Sequence, residues 1–250
     1  MLFGPDAIVA CPHCGTLARH WTLESGNTFG ASQWTDGKTF APMLQRPPEF
    51  VRCRWCRGFY WLDQAKAVGE LPEPFHMADD EDGGPPSVPP AWTAAPRVEE
   101  PTEIEYLEAI DAGLVGADRV LDARILAWWR GNDPFRGREY AKRFGAGKDE
   151  APAAPEARRR NLEALLGLLD DADPGALVMK AEALRHLGRF DDALAALGRI
   201  DDEGFAEIVA TLRGYCEIGD SDLYELGAGA LGGASDDLDD DSDQFIIEYD

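Results

Sequence analysis

Two Cys-x-x-Cys pairs, Cys11 with Cys14 and Cys53 with Cys56, constrain what this 250-residue chain can fold into more than any other feature. Each pair can curl into a short knuckle that turns both sulfurs toward one cation. Two knuckles complete the tetrahedral, all-sulfur cage that Zn²⁺ prefers. Pro12 stiffens the first knuckle, and Gly15 stands where a positive backbone angle lets amide N–H groups turn toward sulfur. Arg52, Arg54 and Arg57 flank the second pair and offset the negative charge that four thiolates leave around a divalent ion. The 38 residues between the pairs exceed the tightest zinc-site spacings, so strands must occupy them. The segments "LARHWTL", "KTFAPML" and "EFVR", punctuated by the turn signals "SGN" and "TDGK", predict a small antiparallel β ribbon there.

With sulfur in all four positions, no coordination site is left to activate water, so the expected metal is one structural Zn²⁺ held by Cys11, Cys14, Cys53 and Cys56. Spacing alone does not separate zinc from a rubredoxin-type iron centre, and iron stays open as the lesser alternative. His13 and His20 are expected on the surface or behind the ligands. Five cysteines, four of them in tight pairs, suit metal ligation in a reducing compartment better than a disulfide framework. The start "MLFGPDAIVACPHC" lacks a basic, apolar leader, and no run approaches the roughly 18 apolar residues of a membrane span. The expectation is a soluble, cytoplasmic protein without a membrane partner.

The formal charge of −23 is unevenly spread: residues 219–250 carry eleven acids and no basic residue, while residues 1–77 balance. So acidic a chain repels phosphate backbones at long range, which disfavours general affinity for nucleic acid or anionic membranes. Against that background Arg119 to Lys148 forms a local basic surplus, read first as a solvated helix surface, then as a dock for the acidic tail, and last as a weak phosphate patch. Its "GAGK" is not a phosphate loop, because Lys142 stands where the first glycine is required and Asp149 where a serine or threonine must follow. No dinucleotide glycine fingerprint, serine elbow or paired-histidine motif appears, and no catalytic or cofactor-binding residue is assigned.

Proline and acid content marks residues 72–101 as a linker, holding eight of the 17 prolines. Beyond it the apolar period becomes helical. Leu121, Ile125, Trp128 and Trp129 form one stripe, Leu162, Leu165, Leu166 and Leu169 another, and Phe205, Ile208, Val209, Leu212, Tyr215 and Cys216 a third. Asp173 before Pro174 reads as a helix start and Gly188 as a stop. The fold class is therefore α+β. A zinc ribbon over residues 1–71 precedes the linker, an α-helical domain over 102–218, and an acidic tail over 219–250 expected to be disordered. The closing "QFIIEYD" has strand propensity and is read as a solubilising tail or an added strand.

Residues 11–62, with "SGNTFGA", Trp34, "DGK" and "APML" between the knuckles, resemble the zinc-ribbon head of an uncharacterised bacterial family that carries a helical tail. The resemblance implies architecture and no activity. Residues 174–200, including "ALVMKAEALRHLGRFDDALAALGRI", resemble a single tetratricopeptide repeat, with Ala181 at the helix contact, Gly188 at the turn and Phe190, Ala193 and Leu197 on the second helix. Lys180 departs from that pattern, and no second copy follows.

The function expected from these features is a structural-zinc-binding adaptor or regulator of protein partners. Trp34, Trp55, Tyr60 and Trp61 and a helical groove would make the contacts. The alternative is a nucleic-acid-binding regulator using Arg52, Arg54, Arg57, Trp55 and Trp61. His186 and Arg189 are read as a solvated face, Cys216 as a core residue, and Trp128 and Trp129 as core plus rim.

Overall fold

Nine consecutive residues at the start of the chain, Leu2–Ala10, form strand β1, the centre of an antiparallel sheet between β2 (Leu17–Ser25) and β7 (Lys66–Leu71). The structure is a computed structural model and describes residues 1–71, 88–136 and 151–226. Expectations that fall on 72–87, 137–150 and 227–250 lie outside the described residues; they cover "GREYAKRFGAGK" and "QFIIEYD", whereas Arg136, read with that basic stretch as a solvated surface, is described and buried. Ile8 and Val9 bury the middle of β1. A second, short sheet is made of β3 (Ser32–Trp34), β4 (Thr39–Phe40) and β8 (Glu225–Leu226). The "TDGK" signal is the β3–β4 turn, with Gly37 at φ 82° and Trp34 N–H donating to the Lys38 carbonyl. Strands β5 (Phe50–Arg52) and β6 (Phe59–Trp61) form a hairpin in which Phe50 faces Trp61 and Val51 faces Tyr60.

Seven α-helices follow among the described residues: α1 (Pro90–Thr93), α2 (Glu103–Asp111), α3 (Val120–Asn132), α4 (Pro155–Leu168), α5 (Pro174–His186), α6 (Phe190–Leu197) and α7 (Ala206–Glu217). Their ends follow local chemistry. Asp173 accepts from the Gly175 N–H to start α5 with Pro174 in its first turn, and Gly188 at φ 71° ends it. Thr102 and Glu105 form a reciprocal capping box on α2. The apolar stripes meet as expected. Ile125 and Trp128 of α3 pack with Leu162 and Leu165 of α4, while Ala181, Leu184, Ala193, Leu197, Ile208, Leu212 and Cys216 join α5, α6 and α7. The fold is thus α+β, with small antiparallel sheets followed by helices.

Two connections were not foreseen. Residues 88–101, assigned to the linker on composition, are stitched into the fold. Arg19 N–H donates to the Pro96 carbonyl, Val98 N–H to the Arg19 carbonyl, and Arg52 N–H to the Glu99 carbonyl, so the segment runs between β2 and β5. Trp92 lies over Gly69 of β7. Prolines remove donors, but Pro96 needs only its carbonyl here. The second connection is β8, which comes from the acidic tail and pairs with β3, Gln33 opposite Leu226. The helices also share a core with the hairpin, since Phe50 and Trp61 pack against Tyr106, Ala109 and Ile110 of α2 and Ala123 and Ala127 of α3. Phe50 sits 4.9 Å from the Trp61 ring and 5.7 Å from the Tyr106 ring.

Candidate metal centre

The two knuckles are built alike. In the first, Gly15 N–H donates to the Cys11 carbonyl at 2.8 Å and Cys11 N–H to the Thr16 carbonyl at 3.0 Å. In the second, Arg57 N–H donates to the Cys53 carbonyl and Cys53 N–H to the Gly58 carbonyl, each at 2.9 Å. Both turns need a left-handed residue after the second cysteine. Gly15 supplies it at φ 71°, while Arg57 adopts φ 62° at a cost of about 1 kcal/mol. Gly58 is required by close approach, because a β-carbon there would stand 2.7 Å from the His13 ring.

The knuckles bring Cys11, Cys14, Cys53 and Cys56 together with all four sulfurs within 4.8 Å of one another. Cys11 Sγ is 3.8 Å from Cys56 Sγ, and Cys14 Sγ is 3.7 Å from Cys53 Sγ. A tetrahedron with metal–sulfur bonds of about 2.3 Å has edges of about 3.8 Å, so these spacings fit one ion at the centre. They are far too long for disulfides, and all five cysteines are free thiols. Cys11 and Cys53 are buried; Cys14 and Cys56 are exposed. Burial pushes the Cys11 thiol up to about 12, whereas the Thr16 hydroxyl and then the Thr16 backbone pull Cys14 down to about 6. Burial and then the neighbouring sulfurs push the Tyr60 hydroxyl above its ordinary range.

Neither nearby histidine competes for the ion. His13 Nε2 lies 2.7 Å from the Phe59 carbonyl, which fastens the first knuckle to β6, and His20 Nδ1 lies 3.0 Å from the Trp21 carbonyl. The flanking arginines are held by carboxylates: Arg52 pairs with Glu105, Arg57 approaches Glu105 at 3.6 Å, and Arg54 Nε donates to Glu99 at 2.9 Å. These pairings tie the second knuckle to α2 and to the 88–101 segment. A shallow cleft opens beside the cluster, lined among others by Thr16, Arg54, Trp55, Pro96 and Arg97.

The aromatic residues expected on a contact platform separate sharply. Trp34, Tyr60 and Trp61 are buried, and the Trp61 indole donates to the Val115 carbonyl at 2.8 Å. Only Trp55, 70% exposed, stands in solvent. Trp128 is buried and Trp129 half-buried, as core plus rim requires; Cys216 is in the core. His186 is not on a solvated face. It is half-buried, with Nδ1 accepting from the Trp128 indole at 3.3 Å and Nε2 3.1 Å from Glu182; Arg189, by contrast, is exposed.

Sequence reasoning missed two buried polar networks that meet at the β3–β4 turn. Asp36 accepts from Arg136 Nη1 and from Asn132, and Asp133 accepts from Arg136 and from Lys38. On the other side Arg185 pairs with Glu182, approaches Thr35 and donates to the Asp220 and Asp222 carbonyls. The side chains of Asp36, Arg136, Glu182 and Arg185 are completely buried. Each reads in sequence as an ordinary surface charge, and only the fold reveals its partners.

No protein-family model, no curated protein and no solved structure matches this chain. Among the described residues no helix is long and apolar enough to cross a membrane.

Proposed function

From the site as built, we propose that the chain is a structural-zinc protein that acts as an adaptor or regulator for a protein or peptide partner and carries no catalysis of its own. The observation that supports this is the four-sulfur cluster, whose spacing suits one tetrahedral ion and whose donors fill every position, so the metal braces the fold. The residues around it offer a surface: Trp55 exposed on a braced knuckle, beside a cleft that Arg54 and Arg97 border. A rigid exposed indole is a strong contact residue. The helical groove is a poorer candidate, because Thr35 and Asp36 of the chain itself engage α3 and α5. The nucleic-acid alternative keeps Trp55, Arg54 and Arg57, but Trp61 is buried and Arg52 is paired with Glu105. Elemental analysis of untagged protein tests the metal, with one zinc per chain expected. Capture with the metal-loaded chain and its Trp55→Ala variant tests the surface. A partner held by the first and lost by the second is expected; a chain that retains no specific protein sinks the adaptor reading.

A further inference from the structure

Across the cluster, each exposed cysteine stands beside a buried one of the opposite knuckle. Exposed Cys14 lies 3.7 Å from buried Cys53, and exposed Cys56 lies 3.8 Å from buried Cys11. The more accessible cysteine of each pair is the one peroxide reaches first, and its neighbour across the cluster is close enough to resolve the oxidised sulfur. The fifth cysteine has no such neighbour: Cys216 is buried among Ile208 and Leu212.

Resting on the metal-site reading above, we infer that the cluster is a peroxide-responsive switch that trades its metal for two disulfides running between the knuckles, Cys14–Cys53 and Cys11–Cys56. The Cys14 thiolate attacks hydrogen peroxide, breaking the O–O bond, forming a sulfenic acid and releasing hydroxide. The Cys53 thiolate then attacks that sulfur, forming the S–S bond and expelling a second hydroxide; two protons from solvent turn both into water. Two thiolates are oxidised by two electrons and one peroxide is reduced. Cys56 and Cys11 repeat the step, and Zn²⁺ leaves with no thiolate left to hold it. A dithiol reductant reverses both bonds and lets the metal return.

The fold gives the exchange a consequence. Val51, Tyr60 and the two shielded cysteines form one small buried cluster, with Val98 of the 88–101 segment against it. Glu99 of that segment is bonded to Arg52 and Arg54. Loss of the ion loosens this junction and uncovers apolar surface beside Trp55, while α5, α6 and α7 keep their own core.

The test is a hydrogen peroxide titration of the zinc-loaded full chain. Zinc release is followed with a metallochromic chelator, disulfides are mapped by mass spectrometry, and backbone opening by hydrogen exchange. Expected are release of one zinc for two peroxides consumed and the two inter-knuckle disulfides. Exchange should quicken at residues 11–16, 53–58 and 95–99 but not at 174–217, and reductant with zinc should restore the starting state. Cys216→Ser should respond as the parent does. Zinc retained under peroxide that oxidises a free thiol, disulfides within rather than between knuckles, or sulfinic acids without disulfides would each overturn the inference. A chain purified without metal overturns the reading beneath it as well.

Discussion

Around the cysteines the buried cluster holds only Cys11, Val51, Cys53 and Tyr60, whereas α5, α6 and α7 bury Val178, Ala181, Leu184, Ala193, Ala196, Leu197, Ile208, Leu212 and Cys216 together. The first cluster is small, and on the proposed metal-site reading bonds to an ion supply what its apolar contacts do not. The second has enough of those contacts and can afford fully buried ion pairs. The difference lies in where each region's order comes from. It predicts that one reagent, a chelator, should separate them.

Metal removal is the largest expected effect. Zinc supplies on the order of 10 kcal/mol to small domains folded around it, so chelation should open residues 11–16 and 53–58 to hydrogen exchange. The helical circular-dichroism signal should persist. Equal loss in both regions would show that the helices depend on the ion too, and would erase the contrast.

The reciprocal attack strikes the helical side. Arg136→Met leaves Asp36 buried without its guanidinium, at a cost of about 3–5 kcal/mol. Pairing it with Asp36→Leu removes the uncompensated charge and should recover a large part of that loss, measured by urea unfolding. No recovery in the double variant would mean that the network acts through shape rather than charge.

What the sequence revealed follows the same division. The knuckles were legible because cysteine spacing is a strong signal: Cys11, Cys14, Cys53 and Cys56 have few reasons to recur in two matched pairs. The helical stripes of Leu162, Leu165, Ile208 and Leu212 were legible through periodicity. The buried ion pairs were not, since a charge is read as solvated until its partner is found, and Asp36 and Arg136 are a hundred residues apart. The 88–101 segment was hidden for a similar reason. Proline density suggests a linker, yet three backbone bonds to Arg19 and Arg52 suffice to hold it.

Acid offers a gentler probe of the same buried charges. Burial pushes the Glu182 carboxyl up, but His186 and Arg185 beside it prevail and hold it at about 2 in the folded chain. An unfolded glutamate titrates near 4.3, so the folded state binds this proton less readily. Its contribution to stability is complete above that ordinary value and fades as the pH falls toward about 2. Glu182→Gln should flatten this part of the acid-unfolding profile. A variant whose profile keeps the parent's slope between these values would show that the carboxylate is not the group responsible.

The smallest change examines the seam between the regions. Thr102 caps α2, and the inner face of α2 carries Tyr106, Ala109 and Ile110, which receive Phe50 and Trp61 from the hairpin that ends in the second knuckle. Thr102→Ala should cost about 1 kcal/mol. Where that loss appears is more telling than its size. If the regions unfold separately, chelated protein should show it in the helical transition, because Phe50 no longer reports on an ordered knuckle. If the shared Phe50 core makes them one cooperative unit, zinc-loaded protein should show a single transition shifted as a whole. Site-resolved hydrogen exchange on both forms distinguishes the two. A shift seen only at the knuckles would place α2 with the metal-held region.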